Sequence, residues 1–191
     1  MRGRSRFNST PPGCYAPSAV GSIRDATPED AVRIGDVHYR ARAEAYPAFL
    51  PPARINTRTL AERQAQWLEF ARDRACGRDR FLLVLEAPRD GIVGFAAGGP
   101  QRHGDPAFPA EVWSIYLLGP SRGHGHGRRL MSEMARRLAG ARYTGLIVWT
   151  QPENARARAF YERLGGVYVR TRPSGEFESV GYGWRDIRSL L

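Results

Sequence analysis

The chain has 191 residues, 42% of them apolar and 25% charged, a balance that suits a single globular domain with a sizeable core. Its formal net charge is +10, and all 29 cationic side chains are arginine, so the surplus fits an anionic partner, either nucleic acid or a phosphate-rich small molecule. No apolar run is long enough to span a bilayer, no secretory signal is visible, and Cys14 and Cys76 make neither a disulfide framework nor a metal-ligand spacing; the expectation is a soluble, cytoplasmic protein without a metal site.

Residues 1–21 mix Pro, Gly, Ser and Arg without periodicity and predict a disordered basic tail, with the folded domain filling 22–191. SIRDA (22–26) predicts a short strand. TPED then sets a helix start, with Thr27 as N-cap, Pro28 in the first helical position and acids in the first turn. That helix should run to Ala45, where YPAFLPP (46–52) breaks it. Leu60, Gln64, Trp67, Leu68 and Ala71 share one face of a second helix over about 57–74. RFLLVLEA (80–87) and IVGFAAGG (92–99) flank the turn sequence PRDG and predict a hairpin. After a loop, EVWSIYLL (111–118) is a third strong strand. Leu130, Met131, Met134 and Leu138 mark one face of a further helix. GLIVWT (145–150) predicts a buried strand. NARARAFYERLGG is a helix with Asn154 as N-cap and Gly165 as its stop, and GVYVRTR and SVGYGWR predict a closing strand pair. Hairpins mixed with helical crossovers give an α/β (α+β) domain around a mixed, mostly antiparallel sheet flanked by helices.

The segment RGHGHGRR (122–129) lies between a strand and a helix N-terminus. The first amides of a helix have no intrahelical partner, and the helix dipole places partial positive charge there. Glycine admits positive φ, so Gly123, Gly125 and Gly127 let neighbouring N–H groups converge on an anion, and Arg122, Arg128 and Arg129 add charge. The segment on its own reads either as a pyrophosphate cradle or as a flexible strand-to-helix loop. The dinucleotide pattern G-x-G-x-x-G fails because its third glycine comes one place early, and the P-loop fails for want of lysine. The His124–His126 pair has no acidic partner nearby and is weak evidence of a metal.

What remains is R-x-x-G-x-G, matched by Arg122, Gly125 and Gly127. It resembles motif A of the GCN5-related N-acetyltransferase (GNAT) family, and NARARAFYERLGG resembles the family's motif B. The likeness covers about 22–191. AEVWSIYLLGPSRGHGHGRRLMSEMARRL is similar to the family's fourth strand, pyrophosphate loop and third helix. Two departures stand out: Pro120 comes one place late in the strand exit, and Gly166 replaces an aromatic, leaving a gap that another side chain must fill.

The resemblance implies an acyl-CoA N-acyltransferase fold, acetyl-CoA as co-substrate, and transfer of an acetyl group to a primary amine by direct attack. It implies Glu111 as general base and Tyr161 as general acid to the leaving thiolate. It places the acetyl carbonyl at the Ile115 amide and the pantetheine at the Tyr116 and Leu117 amides. The diphosphate falls to Arg122, Gly123, His124, Gly125, His126, Gly127 and Arg128, and Asn154 holds the pantetheine, caps its helix or does both. Tyr46, Phe49, Trp67 and Trp113, with Tyr182 and Trp184, are candidate walls for a small-molecule amine. Three other readings stay open: a protein N-terminal acetyltransferase, a non-catalytic CoA-binding sensor, and a basic nucleic-acid-binding module, although no nucleic-acid reading element is visible. No membrane partner is expected, and association as a homodimer is left open.

Overall fold

A computed structural model describes residues 21–74, 79–175 and 177–191. The expected tail, apart from Gly21, and both cysteines lie outside the described residues. The elements are β1 (Ser22–Asp25), α1 (Ala31–Ala45), α2 (Pro52–Ile55), α3 (Leu60–Arg74), β2 (Phe81–Ala87), β3 (Gly91–Pro100), β4 (Ala110–Leu117), α4 (His126–Gly140), β5 (Leu146–Thr150), α5 (Ala155–Arg163), β6 (Val167–Ser174) and β7 (Phe177–Trp184).

The strands form one seven-stranded sheet in the order β1-β2-β3-β4-β5-β7-β6. Every pairing is antiparallel except β4 with β5. Leu82, Leu83, Val84 and Leu85 are all fully buried because the inner strands are covered on both faces. Leu82 and Val84 pack with α1 and α3, through Ile34, Val37 and Trp67. Leu83 and Leu85 pack against Leu130, Met131, Met134 and Leu138 of α4, and α5 joins the same layer through Tyr161. Each fully buried side chain of this size contributes about 1.5–3 kcal/mol.

Helix starts follow short-range chemistry. Thr27 donates its N–H to Asp30 Oδ2 at 2.8 Å, but the first turn, Pro28–Asp30, is a 3₁₀ turn leading into α1. The second long helix begins at Leu60 rather than 57 because Thr59 and Glu62 cap it reciprocally, Thr59 N–H to Glu62 Oε2 at 2.7 Å and Glu62 N–H to Thr59 Oγ1 at 3.3 Å. The proline-rich break hides α2, which Pro52 opens; Arg42 Nε donates to the Ile55 carbonyl at 2.7 Å and ties it to α1. The space beside Gly166 belongs to Trp184: a Cβ on Gly166 would lie 2.7 Å from that ring, and Trp184 Nε1 donates to the Leu164 carbonyl at 2.9 Å.

One buried histidine, His38, makes acid stability testable. Its Nδ1 accepts from Trp67 Nε1 at 3.0 Å, and its ring lies 4.4 Å from that of Tyr116. Desolvation first, then the positive charges of Arg63, Arg42 and Arg58, hold its pKa down at about 2. The unfolded chain takes up a proton near pH 6.5 that the fold refuses, so this stability is present above pH 6.5 and is lost as pH falls toward 2. The loss approaches ~1.4 kcal/mol per pH unit. Melting curves across pH 5–7 should show a falling midpoint in the wild type and a shallower fall in His38→Gln; parallel curves would remove His38 as the cause.

Candidate active site

β4 and β5 stay paired only from Ala110–Val112 against Leu146–Val148. Beyond that point β5 continues on β7, through Trp149↔Gly181 and Thr150↔Val180, while β4 continues on β3 alone. The parting coincides with a bulge. Ala97 faces Ser114 but Gly98 faces Val112, so Trp113 is an extra residue that rotates the strand. A cleft of about 650 Å³ opens between the diverging strands.

Alternation along β4 sets which main-chain groups face this cleft. Leu118 N–H donates to the Val93 carbonyl at 3.0 Å, so Leu118 and Tyr116 spend their main-chain groups on β3. Ile115 and Leu117 therefore turn theirs away from β3, toward the cleft. The expected role of the Tyr116 amide is thus displaced: its N–H belongs to the sheet, and its side chain reaches the cleft wall instead.

From β4 the chain passes through a 3₁₀ turn, Gly119–Ser121, that accommodates the late Pro120. Gly123 and Gly125 have φ of 82° and 78°, and an added Cβ would meet nothing within 4 Å at either. Gly125 is the N-cap of α4, and the helical ladder opens with Arg129 N–H to the Gly125 carbonyl at 3.1 Å. The amides of His126, Gly127 and Arg128 therefore have no helical acceptor. A Cβ on Gly127 would lie 3.1 Å from Phe160, so glycine lets α4 and α5 draw close at the cleft.

The arginines divide. Arg122 is a strut: its Nε donates to the Leu117 carbonyl at 2.8 Å and its Nη2 to Glu44 at 2.9 Å, while its own amide bonds to Gly119. Arg129 donates to the Gly21 carbonyl at 2.6 Å. Arg128 lines the cleft, joined by Arg156 and Arg163 of α5, which the sequence reading did not single out although their helix was expected to border the site. His126 is buried, and desolvation, with Arg129 and His124, pulls its pKa down. His124 is exposed. Among the described residues no three His, Cys, Asp or Glu side chains converge as metal ligands.

Three tyrosines meet at the cleft. Tyr46 and Tyr116 share a hydrogen bond between hydroxyls at 3.0 Å. Tyr161 is 5% exposed and lines the cleft. Burial, reinforced by Tyr116, pushes its pKa well up, so it stands as a protonated donor at neutral pH. Asn154 caps α5, accepting from Ala157 N–H at 3.1 Å, and lines the cleft as well.

Glu111 is fully buried on β4, on the face opposite α4, and is not part of the cleft wall. Its carboxylate takes the guanidinium of Arg102 and, at 3.3 Å, the Arg102 amide. Beside it a second cleft of about 450 Å³ is lined by Trp67, Phe70, Gln101, Arg102 and Trp113, and it shares Trp113 and Ser114 with the first. Tyr46 and Trp113 thus do line clefts. Trp67 is mainly core, though it touches the second, and Phe49 packs its ring 5.1 Å from that of Tyr46 outside both. Tyr182 and Trp184 are core residues rather than walls: Tyr182 donates to Glu162 at 2.7 Å, and Trp184 fills the Gly166 gap. Missed side chains are Trp149 in the cleft wall and Arg102, Arg170 and Arg172 near it; alternate arginines on a strand, at 170 and 172, were the available signal.

A sheet parted beside a glycine-opened helix end suits a ligand that carries a diphosphate. A model of the acetyltransferase (GNAT) family matches residues 41–166, and the chain belongs to that family of acetyl-CoA-dependent acetyltransferases. It is 25% identical to the uncharacterized N-acetyltransferase YuaI of Bacillus subtilis, over 88% of this chain and 95% of that one. The PaiA N-acetyltransferase of Thermoplasma acidophilum, solved in complex with coenzyme A, superposes with a TM-score of 0.71 at 16% identity, covering 86% of this chain and 99% of that one. A ribosomal-protein-alanine N-acetyltransferase from Brucella melitensis superposes with a TM-score of 0.63 at 26% identity, covering 85% and 98%.

Proposed function

We propose that this acetyltransferase moves the acetyl group of acetyl-CoA onto a small primary amine. The observation that carries the reading is the parting of β4 from β5 above Val112, which leaves Ile115 and Leu117 main-chain donors facing a cleft that ends at the α4 amides. Those donors fit the co-substrate. The amides from Gly123 to Arg128 would hold its diphosphate, with Arg128 and Arg156 adding charge, and Ile115 and Leu117 would hold the pantetheine, with the Ile115 N–H against the acetyl carbonyl. Acetyl-CoA supplies an activated thioester. Arg122 supports this arrangement from behind.

An alkylammonium, pKa about 10, must lose its proton before it attacks. Glu111 takes that proton through solvent on the acceptor side, since its carboxylate is buried beneath the second cleft. Tyr161 donates to the departing sulfur as the carbon–sulfur bond breaks. Both clefts fall in the size range of small-molecule sites, which favours a small acceptor. The Brucella neighbour keeps a protein N-terminus as the rival acceptor.

A free-thiol assay with acetyl-CoA, a panel of small amines and a peptide beginning with alanine tests the reading, alongside calorimetry with CoA. Turnover of a small amine is expected; turnover of the peptide alone would transfer the assignment to protein N-termini, and no CoA binding would end it. In Tyr161→Phe, kcat should fall about 100-fold while CoA still binds. If Tyr161→Phe and a Glu111 variant both kept full turnover, the assigned roles would be wrong.

A further inference from the structure

The sheet face carrying Glu111 holds a second set of charges that acetyl transfer does not use. Strand alternation puts Glu111 and Trp113 of β4, Trp149 of β5, and Arg170 and Arg172 of β6 on this one face. The loop from β3 to β4 closes over it with Arg102 and Asp105. Two of the three arginines are neutralised: Arg102 pairs with Glu111, and Arg170 Nη1 pairs with Asp105 at 2.6 Å.

Arg172 is different. Its guanidinium carbon sits 3.8 Å from the centre of the Trp149 ring, while Trp149 itself rests on Gly181, where any Cβ would lie 2.9 Å from the indole. Its Nε and Nη1 are shielded from solvent and have no hydrogen-bond partner among the described residues. The indole N–H groups of Trp113 and Trp149 are orphaned in the same way. An unpaired buried donor costs about 1–3 kcal/mol, and more when charged. Four such donors lie on one face, next to the cleft that Trp149 lines. Burial pulls the Arg172 pKa down, and the charges of Glu111, Arg102 and Arg170 all reach it, which places it in the same electrostatic neighbourhood as the proposed base.

We infer that the acceptor is an amine bearing an oxyanion, a carboxylate or its phosphonate equivalent, which Arg172 grips while Trp149 holds the guanidinium flat. This rests on the acetyl-transfer reading above and names its substrate class. A planar guanidinium stacked on an indole presents its N–H edge to two oxygens at once, which an ammonium cannot do. The anion would offset the unpaired charge of Arg172 and leave the amine directed toward Glu111.

Matched pairs test this: α-, β- and γ-amino acids against their amides, and an aminoalkylphosphonate against the alkylamine. Intrinsic reactivity favours an α-amino acid's amide, whose amine is less basic and so is more often free at neutral pH. The wild type should instead prefer an acid-bearing member by at least tenfold in kcat/KM. Arg172→Gln should collapse that ratio to within about threefold of unity, mainly through KM, and Arg172→Lys should keep part of it. Preference for the carboxylate or for the phosphonate member identifies the oxyanion. CoA affinity by calorimetry checks folding, and calorimetry of the acids on the CoA-loaded protein covers amines that bind without turning over. Preference for the neutral partner, or an unchanged ratio in Arg172→Gln, overturns the inference while acetyl transfer stands. No CoA binding and no thiol release with any amine would instead overturn the acetyl-transfer reading itself.

Discussion

Glu111→Gln should lose about 10²–10³-fold in kcat/KM at pH 7.5 and regain roughly tenfold per pH unit up to about pH 10. The argument is arithmetic. An amine of pKa about 10 is ~0.3% unprotonated at pH 7.5, so a base that removes the proton can add at most the missing two to three orders of magnitude. A variant without the base depends on the free amine in solution, and its rate follows that fraction upward. Glutamine keeps the shape of a side chain that is wholly enclosed, and the pair it breaks involves an Arg102 that is 54% exposed, so the stability loss should stay near 1 kcal/mol. A rate loss that is equally deep at pH 7 and pH 10 would mean that Glu111 only positions Arg102.

Gly125→Val should raise the CoA dissociation constant about 100-fold, whereas Gly91→Val should leave it unchanged. Both glycines have positive φ, 78° and 66°, and both have open space where a Cβ would go. Each substitution therefore costs about 1–2 kcal/mol of backbone strain, more for a β-branched residue. Both variants should melt a few degrees lower. They differ in what relief of that strain destroys. Gly91 sits in the β2–β3 turn, but Gly125 is the residue on which the α4 amides turn toward the cleft. Relaxing Gly125 to negative φ redirects those amides and forfeits one or two charge-assisted bonds of ~1.5–3 kcal/mol each. Equal CoA affinity in the two variants would mean that the loop amides do not hold the diphosphate.

The elements were legible where periodicity was strong and where glycine or a cap marked an end. The face of α4 and the start of α5 at Asn154 followed directly from spacing. Helix α2 was hidden because prolines that end one helix can also open the next, and local sequence does not distinguish the two. The family motifs marked one wall of the first cleft because that wall is contiguous in sequence, a strand, a loop and a helix end. The face proposed for the acceptor is not contiguous: Glu111, Trp149 and Arg172 share it only because β4, β5, β7 and β6 lie side by side. Aromatic residues alone misled, since Tyr182 and Trp184 have the composition of a binding wall and the burial of a core. Arg122 also shows the limit of a motif match: the position fits, but its guanidinium braces Glu44 and Leu117.

The position of β6 at the margin of the sheet has a consequence for how this enzyme could change over evolutionary time. That strand bonds only to β7, and its outer residues are open to water, Val167 at 68% and Tyr168 at 54%. Side chains on it can be exchanged without disturbing the helices or the parted strands. With the acceptor gripped by Arg172 as proposed, acceptor preference would rest on a peripheral, replaceable ribbon, whereas donor recognition by the loop amides would be written largely into peptide groups that point mutation does not delete.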